Sequence, residues 1–166
     1  MARLVVALPQ PPQTALRPSK RLWLAAPLSA ALISVTAVAA PIAFKNALTD
    51  APMDVQPRPG EVETDAVKQF KETGENPYRG NADAIADGKR LYTQNCAVCH
   101  NPDGAGKMGP TLIGTDWTYP RAGTDVGMFE VIYGGASGAM QSFAKRGMSE
   151  DNMLKVIAYV RTLAKP

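Results

Sequence analysis

The chain has 166 residues, enough for one domain of ordinary size, and carries a formal charge of +3. That charge is unevenly placed: Arg3, Arg17, Lys20 and Arg21 precede residue 40, and the first acid is Asp50. Without residues 1–39 the balance is 14 Lys+Arg against 15 Asp+Glu, so no basic footprint for nucleic-acid binding exists.

After Arg21 an uncharged run extends from Leu22 to Phe44 and passes through Ala37-Val38-Ala39, the small-residue pattern that signal peptidase cuts. Residues 1–39 are therefore expected to be a signal peptide cleaved after about Ala39. The rival is an uncleaved membrane anchor, since the run is long enough to span a bilayer. Its Ala-rich composition and Pro27 make it a weakly apolar span, and with cleavage no stable membrane insertion remains. In both cases the basic flank stays inside and the rest is exported. No Cys follows the apolar run, which excludes a lipoprotein anchor.

Residues 40–75 are Pro-rich and polar and are expected to be a linker or an arm on the domain surface. Val55-Gln56-Pro57-Arg58-Pro59 reads as extended, because proline disfavours helix in the residue before it. Glu61 to Thr73 has a thin apolar stripe (Val62, Ala66, Val67, Phe70) that suits a short helix.

Residues 76–166 form the expected folded domain, small for a hydrophobic core without a staple. Asn81 or Asp83 caps a helix through Gly88, Leu91 and Tyr92 to about Asn95. Thr124 caps a second helix, Asp125 to Tyr133, ended by Gly134-Gly135. Ser149 caps a third, with Met153, Leu154, Ile157 and Val160 along one face. No alternating strand pattern occurs, so the fold class is all-α.

Between the first two helices lies Cys96-Ala97-Val98-Cys99-His100, holding every Cys and His of the chain. Cys-x-x-Cys-His is the attachment signature of c-type haem: the thiols add to the haem vinyl groups and the histidine becomes an axial ligand. A thioredoxin-like pair needs a βαβ context, a zinc site needs two further ligands, and a disulfide this local closes almost no loop. One covalent haem c is the expected cofactor, and it supplies the missing staple.

The sixth position on the iron separates an electron carrier from an open-site haem enzyme or gas sensor. With histidine used, Met, Lys or an open position remain. Met108 is too near the attachment turn, Met128 and Met153 fall on apolar helix faces, and Met148 precedes the Ser149 cap as a staple. Met140 lies in the irregular stretch 134–147 and is the favoured ligand opposite His100, with Met148 next. Trp117, Tyr119 and Arg121 are candidate donors to the haem propionates.

The order helix, Cys-x-x-Cys-His, Gly109-Pro110, loop Met140 and final helix resembles class I c-type cytochromes. That resemblance implies three main helices around one haem, with Pro110 offering its carbonyl to the free His100 ring nitrogen. It also implies a close crossing of the first and last helices at Gly88 and Tyr159. Residues 76–166 are more narrowly similar to cytochrome c-L. The similarity rests on Gly109-Pro110-Thr111-Leu112, Asp116-Trp117-Thr118-Tyr119-Pro120, Thr124-Asp125-Val126-Gly127-Met128-Phe129 and Tyr133-Gly134-Gly135-Ala136-Ser137-Gly138-Ala139-Met140. Gln141 and Phe143 depart from that family's usual pattern, a second Met after the ligand with a His shortly beyond. The resemblance implies a non-enzymatic periplasmic carrier that accepts single electrons from a quinoprotein (PQQ-dependent) methanol or alcohol dehydrogenase. It would pass them to another cytochrome c or a terminal oxidase. The alternatives are a cytochrome subunit anchored in a membrane respiratory complex and the open-site haem protein.

Overall fold

The computed structural model describes residue 40 and residues 42–163, so the expected signal peptide and its cleavage site lie outside the described residues. Among the described residues five helices follow one another: α1 (Asp65–Thr73), α2 (Ala82–Asn95), α3 (Ala97–His100), α4 (Asp125–Gly134) and α5 (Glu150–Leu163). A 3-10 turn, Pro120–Gly123, leads into α4. The only pairing of extended backbone among the described residues is one antiparallel bridge, Lys45 to Pro52.

The helix starts follow their caps. Asn81 accepts the Ala84 N–H at 3.0 Å, Thr124 accepts the Gly127 N–H at 3.0 Å, and Ser149 accepts the Asn152 N–H at 3.1 Å. Each bond satisfies a backbone donor that the first helical turn leaves without a partner. Glu150 and Asp151 then place negative charge in the first turn of α5.

Helices α2 and α5 cross closely because Gly88 has no side chain. A Cβ there would lie 2.0 Å from the Lys155 carbonyl oxygen and 3.1 Å from Tyr159 Cβ. One turn further on, the Tyr92 and Tyr159 rings pack at 5.2 Å. Helix α5 buries more of its circumference than its apolar stripe foretold, with Val156, Ala158 and Tyr159 inside as well as Met153, Leu154, Ile157 and Val160.

Residues 42–75, expected as a linker or an arm on the domain surface, pack with the described residues that follow them in one compact unit. Phe70 of α1 is fully buried, 5.2 Å from the Phe129 ring, and Phe44 closes the triangle at 5.9 and 5.4 Å. Val55 and Val67 are buried in the same core. The physical reason is local insufficiency: α1 has only Val67 and Phe70 to bury, and α4 offers the aromatic surface that takes them. Buried Asn76 secures the passage into α2 by donating to the Leu154 carbonyl at 2.7 Å.

Candidate functional site

Helix α2 ends by a change of backbone direction at Cys96, which serves as the last cap of α2 and the first of α3. The His100 N–H donates to the Cys96 carbonyl at 2.9 Å, so the five motif residues form one tight turn. Both thiols are free and partly buried. Burial pushes the Cys96 thiol up to about 12, against the pull of the Arg146 charge. A redox-active Cys-x-x-Cys works through a lowered thiol, so this environment is the opposite of a thioredoxin-like one.

The following loop folds back over the histidine. Gly106 N–H donates to the His100 carbonyl at 3.0 Å, and Gly109 N–H to the Cys99 carbonyl at 3.0 Å. Asn101, in a left-handed conformation, donates through its amide to Gly106 at 2.7 Å, while the Tyr92 hydroxyl holds the Asn101 carbonyl at 2.7 Å. Closure brings the Pro110 carbonyl oxygen 2.8 Å from His100 Nδ1. A carbonyl only accepts, so Nδ1 carries the ring proton and Nε2 keeps its lone pair for a ligand. Gly109 lets the ring sit there, since a Cβ at that position would lie 2.6 Å from His100 Cε1.

The structure brings Cys96, Cys99, His100 and Pro110 together in one turn and loop. Met140 sits partly buried in the loop between α4 and α5, with its carbonyl accepting the Ala136 N–H at 2.9 Å. Met128 and Met153 are core residues, and Met108 is exposed. The Tyr119 hydroxyl donates to Ser137 Oγ at 2.9 Å and accepts the Ser137 N–H at 2.9 Å, which ties the Trp-Thr-Tyr-Pro run to the Met140 loop. Trp117 lies under the Arg161 guanidinium, 5.3 Å from the ring centre.

Arg121, a candidate donor to a haem propionate, directs its Nε and Nη2 to buried Glu130 at 2.9 and 2.6 Å. Glu130 is one turn into α4, and a buried carboxylate needs such a partner; the Lys45 N–H adds a third bond at 2.8 Å. Sequence reading missed Glu130 and Asp125, both buried acids on a helix that reads as apolar. Asp125 takes Arg79 at 2.6 and 2.8 Å and Arg161 at 2.8 Å.

Residues 83–160 match the model of the cytochrome c oxidase cbb3-type subunit III family. A crystal structure of cytochrome cL from Hyphomicrobium denitrificans superposes with a TM-score of 0.70 at 42% identity, covering 76% of each chain. That of cytochrome cL from the marine methylotroph Methylophaga aminisulfidivorans gives 0.71 at 35% identity, over 74% of this chain and 81% of that one. The chain belongs to the cytochrome c-L family. The cytochrome c-L of Methylorubrum extorquens is 41% identical over 123 residues, which is 74% of this chain and 62% of that relative's length.

This cytochrome c-L is a class I cytochrome c in fold, and its cofactor is one covalent haem c. The donor set present fits that group: two adjacent thiols unpaired with each other, and an imidazole whose Nε2 alone is left to ligate. No group of three or more His, Cys, Asp or Glu among the described residues makes a competing metal site.

Proposed function

We propose that this cytochrome c-L is a periplasmic carrier of single electrons. It takes them from a quinoprotein (PQQ-dependent) methanol dehydrogenase and passes them to another cytochrome c or a terminal oxidase. The observation that carries this reading is the likeness to the two cytochrome cL structures, at 42% and 35% identity. The His100 ring, held by Pro110 and seated against Gly109, supplies the oriented ligand that such a carrier needs.

When bound, haem c supplies a one-electron ferric/ferrous couple. Cys96 and Cys99 would hold it through thioethers, His100 would ligate it through Nε2, and Met140 would add a thioether ligand that raises the potential. Trp117 and Tyr119 would donate to its propionates, while Arg121 holds Glu130 of α4. No helix among the described residues is long and apolar enough to cross a membrane.

The test mixes oxidised, haem-loaded protein with a purified quinoprotein methanol dehydrogenase and methanol, and follows the reduced haem band. Rapid reduction that requires both enzyme and methanol is expected. A protein that ascorbate reduces but this pair does not would keep the cytochrome and remove the partner.

A further inference from the structure

The loop that carries Met140 is held from outside by the segment that the sequence presents as a linker. Met53 lies against Gly134, where an added Cβ would approach its sulfur to 3.1 Å. The Val55 carbonyl accepts from Lys71 Nζ at 3.2 Å, and the same ammonium pairs with Glu150 at the start of α5 at 2.8 Å. The Gln56 N–H donates to the Tyr133 hydroxyl oxygen at 3.3 Å, and the Tyr133 carbonyl accepts from Ser142 Oγ at 2.6 Å. Arg58 reaches furthest: its Nη1 donates to the Gly147 carbonyl at the far end of the loop. Its Nε is meanwhile steadied by Glu61 at 2.8 Å.

Between these fastenings the loop buries Phe143 in the core but does not pack against the strap. A cavity of about 460 Å³ separates Pro57 and Arg58 from Ser142, Ala144, Lys145 and Met148. A segment with free volume on one side is restrained by its point contacts rather than by continuous packing, and losing those contacts lowers the free energy of local opening.

We infer that residues 53–58 form a strap that keeps the Met140 loop closed, with Arg58 and Tyr133 as its latches and therefore as positioning residues for the Met140 sulfur. This rests on the reading of Met140 as haem ligand. The strap sets how often the sulfur leaves its place, without touching the haem.

The experiment uses the full holoprotein and imidazole as an external ligand that displaces a thioether. At saturating imidazole the capture rate is the rate of loop opening, followed by loss of the weak long-wavelength band of thioether-ligated ferric haem. Arg58→Ala and Tyr133→Phe are made singly and together, so that one poorly loaded variant does not decide the outcome. Arg58→Ala alone is expected to open about tenfold faster, as loss of one hydrogen bond from a charged donor implies, and the double variant faster still. Lys68→Ala, which removes an exposed pair with Asp65 outside the strap, should leave the rate unchanged.

Rates equal to wild type in all strap variants would overturn the strap. So would rates that rise only in step with global unfolding measured by far-UV circular dichroism. Absence of the thioether band in the wild-type protein overturns the Met140 reading and the strap with it, whereas a band present with unchanged capture overturns the strap alone.

Discussion

The ring of His100 and the backbone of Gly109 occupy space that only a glycine leaves open, with 2.6 Å between His100 Cε1 and the position a Cβ would take. The same displacement that would relieve such a clash would lengthen the 2.8 Å contact from Nδ1 to Pro110. Gly109→Ala is therefore expected to lose roughly 1–3 kcal/mol, the usual range for an overpacked site. It should also change the magnetic environment of the ligand. Chemical denaturation checks the first, and paramagnetic NMR shifts of the His100 ring in the holoprotein check the second. An unshifted ring spectrum would mean that the loop yields instead of the imidazole.

Met140 and Met148 make separable predictions. Met140→Ala should abolish the thioether-ligated low-spin spectrum. Met148→Ala, in a residue whose backbone closes on Phe143 at 3.0 Å just before α5, should keep it and lose only packing. If the Met140 variant retains the spectrum, Met148 becomes the candidate, and the strap argument fails with the assignment it rests on. Absorption spectra of the two ferric holoproteins decide between them.

What the sequence made legible here was whatever local chemistry determines. Asn81, Thr124 and Ser149 each announce a helix by a side-chain acceptor three residues ahead of a backbone donor, and the attachment turn is spelled in five consecutive residues. Phe70 was not legible as core, because a nine-residue helix with two buried apolar side chains looks like a surface element. Its burial depends on Phe44 and Phe129, far away along the chain. The commitment of Arg121 to Glu130 was hidden for a related reason: the pair also needs the Lys45 backbone from the strap side. Phe70→Ala is accordingly expected to destabilise by about 3–5 kcal/mol, the value for a core phenylalanine rather than for a linker residue. Thermal denaturation of the holoprotein measures it.

Asp125 predicts the acid limb of stability. Burial by itself would raise its carboxyl, but the hydrogen bonds and charges of Arg79 and Arg161 prevail and hold it below the ordinary carboxylate value. A folded-state pKa below the unfolded one gives stability that is present above the unfolded value and is lost as pH falls through the folded one. Unfolding free energy should therefore decline as the solution is acidified below about pH 4, and Asp125→Asn should flatten that limb. Arg79 is mostly exposed, so Arg79→Ala should matter less than Arg161→Ala. Denaturant midpoints across acid pH for the three variants test the order; equal losses from both arginines would contradict it.

Gly88 gives the sharpest steric prediction. The site where a Cβ would appear is 2.0 Å from the Lys155 carbonyl oxygen, and that atom is helix backbone with no rotamer by which to move aside. Helices α2 and α5 would have to separate, which would pull Tyr92 from Tyr159 and loosen the Tyr92 hydroxyl's grip on the Asn101 carbonyl. That grip fixes the first residue of the loop over His100, so the effect should reach the haem-binding turn. Gly88→Ala is expected to give a folded but weakened holoprotein, and Gly88→Val to fail in haem loading. The haem-to-protein absorbance ratio after expression with the haem-attachment machinery reads this directly. A Gly88→Val protein loaded like wild type would show that the two helices can slide past each other, and that their crossing does not set the geometry of the attachment turn.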